Sequence, residues 1–167
     1  MTLYIAHNAA LSATTGIQAG TSYATGAKVA LQLNVPDNKC INIVEVGWSQ
    51  DVATSTGTLL ELATTDTATT GLTTHSTTTV KPLLNNLFSA SGLTMGTAAT
   101  GYGAVAITSN TTLRTIHKLY VPQQYVYQYP LGNYPVVGNG SSESFVQLRV
   151  NTTATVNALA WIIWDEA

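Results

Sequence analysis

Apolar and polar side chains take turns along residues 28–35. Val29, Leu31, Leu33 and Val35 alternate with Lys28, Ala30, Gln32 and Asn34. A period of two sends one set into a core and the other away from it, which predicts a strand. Pro36-Asp37-Asn38 ends it as a turn. Residues 40–50 predict a second strand, with Ile41 and Ile43 on one face and Val44, Val46 and Trp48 on the other. A strand apolar on both faces lies between layers or under another subunit. Residues 58–63 predict a third strand. Residues 64–79 are almost wholly Thr, Ala, Gly and Asp and read as a long polar loop.

Val80, Leu83, Leu84, Leu87 and Phe88 recur at helical spacing, with Pro82 near the start, where a helix tolerates it. One short helix is therefore expected near 80–90. Residues 92–103 are small and turn-rich. Strands are expected over 103–108 and 113–121, joined near Ser109-Asn110. Tyr125, Tyr127 and Tyr129 alternate in a strand that stops at Pro130-Leu131-Gly132. After a loop through Gly138-Asn139-Gly140-Ser141-Ser142, Val146, Leu148 and Val150 alternate with Gln147 and Arg149. Residues 155–164 form a final strand. Its face of Val156, Ala158, Ala160, Ile162 and Trp164 suits a core, and Leu159, Trp161 and Ile163 make the opposite face apolar as well.

The pattern amounts to about eight short strands separated by turn signals, which predicts an all-β antiparallel β-sandwich or jelly roll. Residues 1–25 have weak periodicity. They read as an N-terminal arm with a short strand over 3–6, ordered in part by a neighbouring subunit. Residues 26–167 read as a single domain. No period of 20–50 residues recurs, so a repeat array is not expected.

Composition strengthens the β reading. Charged residues make up 8 % of the 167, against about 25 % in an average soluble domain. Threonine supplies polarity in a β-branched form that suits a pleated sheet. The six basic residues, Lys28, Lys39, Lys81, Arg114, Lys118 and Arg149, are scattered, and the formal charge is −2. With no basic stripe to meet phosphates, neither nucleic acid nor an anionic membrane is an expected partner. Little like-charge repulsion opposes self-association, which favours a homo-oligomer. Cys40, the single cysteine, forms no intrachain disulfide and is expected buried. Met1-Thr2-Leu3-Tyr4-Ile5 lacks the basic start of a secretory signal, so a protein made and used without export is expected.

The chemistry-bearing residues form no motif. His7, His75 and His117 are isolated, without the short spacing of metal ligands. No Gly-x-Ser-x-Gly elbow is present, and the glycine-rich 138–142 stretch lacks the lysine of a phosphate loop. Asp165 and Glu166 project to opposite sides of a strand, which disfavours a shared carboxylate site. The Asn-x-Ser/Thr triplets at Asn110, Asn139 and Asn151 fall at expected turns. No catalytic, cofactor or metal site is expected, and no enzymatic activity. Tyr125, Tyr127 and Tyr129 share one face. They pack on the core or on another subunit, or they offer a platform for a sugar. Leu159, Trp161 and Ile163 need a cover, and another subunit is favoured because aromatic residues are enriched and charges depleted at interface cores.

The segments Tyr129-Pro130-Leu131-Gly132, Pro135, Leu148-Arg149-Val150, Thr155-Val156-Asn157-Ala158 and Trp164-Asp165-Glu166 resemble tailed-phage virion proteins, especially the capsid decoration proteins of actinobacterial phages. The resemblance covers roughly residues 110–167. It implies a jelly-roll sandwich that assembles as a homotrimer on the outside of the head, with the major capsid protein as partner. It implies a virion location after synthesis in the host cytoplasm. Arg149, Pro130 and Gly132 would then serve structure. The alternative is a carbohydrate- or receptor-binding β-sandwich on a virion or tail, working through the tyrosine face.

Overall fold

The computed structural model describes residues 2–9, 20–51, 57–76, 79–83, 89–108, 113–138 and 144–166. The strands in chain order are β1 (Leu3–His7), β2 (Thr21–Tyr23), β3 (Gly26–Asn34), β4 (Cys40–Gln50), β5 (Thr58–Thr65), β6 (Thr73–Thr74) and β7 (Lys81–Pro82). They continue as β8 (Gly101–Ala106), β9 (Leu113–Val121), β10 (Gln124–Gln128), β11 (Val136–Gly138), β12 (Phe145–Thr152) and β13 (Val156–Glu166). The chain is all-β, and no helix occurs among the described residues.

The strands form two antiparallel sheets. The first, of seven strands, runs β10-β4-β13-β1-β7, with β11 beside β10 along β4 and β2 beside β1 along β13. The second, of six, runs β6-β8-β3-β12-β5-β9. The pairing is nested: β1 and β2 bond to β13, β3 to β12, β4 to β10 and β11, and β5 to β9. Both described strands of the N-terminal 25 residues therefore pair within their own chain.

The inner faces of the two sheets meet in one core. Trp48, Trp164, Tyr23, Leu31, Leu33, Ile41, Ile43, Leu60, Leu62, Leu148 and Ile162 are its largest fully buried apolar side chains. Asn8 ties the edge of the first sheet to this core. Its Nδ2 donates to the Tyr23 hydroxyl and to Ala158 O, and its Oδ1 accepts from Ala160 N at 2.7 Å. That bonding meets the requirement that a buried polar group keep its partners.

Strict alternation fails along β4. Ile163 pairs with Glu45 and Trp164 with Ile43, so Val44 has no opposite residue on β13. One extra residue reverses the parity of everything beyond it. Ile41, Ile43, Val46 and Trp48 all join the same core, and the two apolar faces expected for this strand collapse into one. A second irregularity sets Leu148 opposite Leu31 and Arg149 opposite Val29, skipping Ala30.

The helix expected near 80–90 is corrected over its described part. Lys81–Pro82 is a strand paired with Tyr4 and Ile5, and Leu83 N donates to Leu3 O at 2.7 Å. The open edge of β1 offers backbone partners, and an edge position tolerates a proline that has no N–H to give. Residues 84–88 lie outside the described residues. The polar stretch 64–79 is also more than a loop. It completes β5, carries β6 and lays residues 67–69 across the outward side of the second sheet, where Thr69 is buried.

Candidate functional site

The three alternating tyrosines face inward. Tyr125 pairs with Trp48 and Tyr127 with Val46, and cross-strand partners share a face. Their rings therefore lie on the core side of β10, at the edge of the first sheet. There they meet His117 of β9, the edge strand of the second. The His117 ring stacks on Tyr127 at 4.6 Å and on Tyr125 at 6.1 Å, and its Nε2 is 2.9 Å from the Tyr125 hydroxyl. Tyr129 meets Tyr127 edge-on at 4.9 Å. This aromatic stack closes one flank of the sandwich. Burial pushes the Tyr129 hydroxyl up to about 12, with the neighbouring tyrosines adding to the rise, and that hydroxyl has no hydrogen-bond partner among the described residues. Desolvation likewise lowers the His117 pKa.

Leu159, Trp161 and Ile163 lie on the opposite, outward side of the first sheet. Trp161 is half-buried because its ring lies flat over Gly47. A Cβ at that glycine would come within 2.0 Å of the indole. The indole Nε1 donates to Glu45 Oε1 at 2.8 Å. Ile163, between Glu45 and Ile5, is already buried within the chain, and Leu159 is half-buried beside Ser49. The six candidate interface residues thus divide between two faces of one sheet. Alternation assigns residues to faces, but it does not say which face of an edge strand turns inward.

Arg149 sits on the outward side of the second sheet and is buried. Its Nε and Nη2 both donate to Gln147 Oε1, at 2.9 and 2.7 Å. Gln147 Nε2 donates to Gln32 Oε1 at 2.8 Å, and Gln32 Nε2 to Ala99 O at 2.9 Å. This ladder fastens residues 67–69 and 99 onto the sheet. Desolvation lowers the Arg149 pKa, and Glu61 opposes that change.

Pro130 and Gly132 belong to a tight turn. Asn133 N donates to Pro130 O at 2.9 Å, and Gly132 has φ +83°, the value a type II turn requires at its third residue. Leu131 stands 88 % exposed at the tip. Cys40, expected buried, is half-buried at the start of β4.

His75 is the most deeply buried histidine. Its Nε2 lies 2.9 Å from His7 O, so Nε2 carries the proton. Nδ1 is buried without a partner among the described residues. Desolvation lowers the pKa of His75, of His7 and of His117. The unfolded chain therefore binds protons, near an ordinary pKa of about 6.5, that the folded chain refuses. Stability is full above that pKa and is lost as pH falls below it. The expected result is a melting temperature that drops between pH 7.5 and pH 5, by about 2–4 °C for each ~1 kcal/mol lost. In His75→Gln the drop is smaller. A variant with an unchanged pH slope in calorimetry would remove His75 from this account.

Among the described residues no three of His, Cys, Asp and Glu come together as a metal-ligand set, and no helix is long and apolar enough to cross a membrane. Comparison with known protein families matches no family model, and no characterised protein or solved structure matches the chain.

Proposed function

We propose that the protein is a non-enzymatic virion structural protein of jelly-roll topology, a decoration protein that binds the outer surface of a phage head and stabilises it. The observation that carries the reading is the nested pairing. β1 bonds to β13, β3 to β12, β4 to β10 and β5 to β9, and these eight strands make the rows β10-β4-β13-β1 of one sheet and β3-β12-β5-β9 of the other. Eight strands wound as two Greek keys in this way make a jelly roll, an architecture of viral capsid and lectin domains. The extra strands β6, β7 and β8 lengthen the sheets at their edges.

The surface suits apolar docking more than charge pairing. Leu131, Val136, Leu113 and Val126 are all exposed, on a chain with 8 % charged residues. Burying such side chains against the major capsid protein and against two further copies contributes roughly 25 cal/mol per Å² before the costs of association. Trp161 would lie within the self-association surface, with Leu159 beside it. The inward turn of Tyr125, Tyr127 and Tyr129 weighs against these rings as a sugar platform, because their faces are occupied by His117 and by one another.

The test mixes the purified chain with undecorated heads. Saturable, stoichiometric co-sedimentation and a trimer mass by light scattering are expected. In Trp161→Lys the chain keeps its fold and loses the trimer, with head binding weakened about tenfold, as for an interface anchor. A wild-type chain that stays in the supernatant overturns the decoration role. A variant that keeps its trimer mass removes this face from the interface.

A further inference from the structure

On the outward face of the second sheet, two rows of side chains surround a pocket of about 130 Å³. One row runs Lys118, Glu61, Arg149 across β9, β5 and β12, and the next runs Tyr120, Leu59, Asn151. All of these except Tyr120 line the pocket. Tyr120 stands at the rim, opposite Leu59, and is 75 % exposed.

The charges are not balanced. Arg149 is only 4 % exposed, and its ion pair among the described residues is the loose one with Glu61. One edge of its guanidinium is bound to the neutral amide of Gln147, and Nη1 stands 3.9 Å from Glu61 Oε2. That distance is too long for a hydrogen bond. Glu61 is itself shared: its Oε1 accepts from the Thr115 hydroxyl at 2.9 Å and lies 3.7 Å from Lys118 Nζ. Two cations thus face one divided carboxylate. A buried guanidinium without a tight partner is unfavourable unless something completes its bonding, and a second carboxylate in the pocket would do so in fork geometry.

The neighbouring groups narrow the ligand. Leu59 gives the pocket an apolar wall, Asn151 offers an amide that both donates and accepts, and Tyr120 presents an open ring at the rim. An open aromatic ring beside a cationic pocket suits a compact ring with an apolar face, hydroxyl groups and one carboxylate. The pocket is smaller than the roughly 300 Å³ or more of drug-sized sites. It has room for a carboxylate and the atoms next to it, with the remaining ring over Tyr120.

We propose that this pocket binds an acidic monosaccharide unit of the hexuronate type, its carboxylate held by Arg149 and Lys118 and its ring seated on Tyr120. The site is independent of head binding and lies on a different sheet from Trp161. The test titrates glucuronate into the intact chain at low ionic strength, where exposed charges such as Lys118 are least screened, and follows backbone amide signals. Saturable shifts at Leu59, Lys118 and Asn151 are expected, with affinity about tenfold or more above that for glucose or acetate. That margin corresponds to about 1.4 kcal/mol. Lys118→Gln and Tyr120→Ala change exposed side chains. Each should weaken binding about three- to tenfold while leaving the melting temperature in place. Failure to saturate, or equal binding of glucose, overturns the site. Equal binding of acetate reduces it to a pocket for any carboxylate and overturns the saccharide assignment. Glucuronate binding unchanged in both variants places the ligand elsewhere and overturns it as well.

Discussion

Trp164→Ala is expected to lower the melting temperature by roughly 6–20 °C, from a loss of about 3–5 kcal/mol for a buried large aromatic and 2–4 °C per kcal/mol in a domain of this size. Trp164 is fully buried on the central strand β13, opposite Ile43. Its ring stacks on Tyr4 at 5.9 Å and its Nε1 donates to Glu166 Oε1 at 3.2 Å. Truncation empties the space where β1, β13 and β4 meet and leaves Tyr4 without its partner. Whole-domain stabilities are only about 5–15 kcal/mol, so the variant sits near the limit of folding. Trp161→Ala, on the outward face of the same strand, is the internal control and should lose less. Calorimetry that ranks the two in the opposite order would contradict the assignment of faces.

Gly138→Ala is the second large effect. Gly138 has φ +115°, and an added Cβ would stand 2.2 Å from Lys39 O and 2.9 Å from Val35 Cγ1. The backbone conformation alone costs an L-residue about 1–3 kcal/mol, and a main-chain oxygen cannot move aside without parting β11 from β4. Gly132→Ala separates the two contributions. That glycine also has positive φ, at +83°, but nothing lies within 4 Å of the added carbon. It should lose about 1–2 kcal/mol and Gly138→Ala clearly more. Hydrogen exchange at Val137 should quicken in Gly138→Ala only. Equal losses in denaturant titrations would show that the close approach to Lys39 does not matter.

The strands themselves were legible because burial writes a period of two. The period marks residues 28–35, 40–50 and 155–164 as strands, against β3, β4 and β13 in the structure. What periodicity could not carry was the sense of each face. The unpaired Val44 reversed half of β4, and such a bulge leaves no mark in a run already apolar throughout. The edge tyrosines alternate as cleanly as any strand, but only their pairing with Val46 and Trp48 shows that they point inward. The short strand at Lys81–Pro82 reads as helix in the sequence because Val80, Leu83 and Leu84 satisfy a helical spacing, while its reason for being a strand lies some 75 residues away in β1. The pocket around Arg149 was invisible for the same reason. Lys118, Glu61 and Arg149 are remote in sequence and meet only through register.

Nested pairing also governs the order in which the molecule can be completed during its synthesis. β1 and β2 leave the ribosome first, and their partner β13 leaves last. At roughly 5–20 residues per second, β1 waits about eight to thirty seconds for β13. β3 and β4 wait almost as long for β12 and β13. β1 can meet β7, and β3 can meet β8, before β9 is out, and of the nested pairs β5 with β9 is the first that can close. The nested pairs therefore close from the middle of the chain outward, and β3 and β4, once beside β8 and β10, each keep one edge open until β12 and β13 emerge.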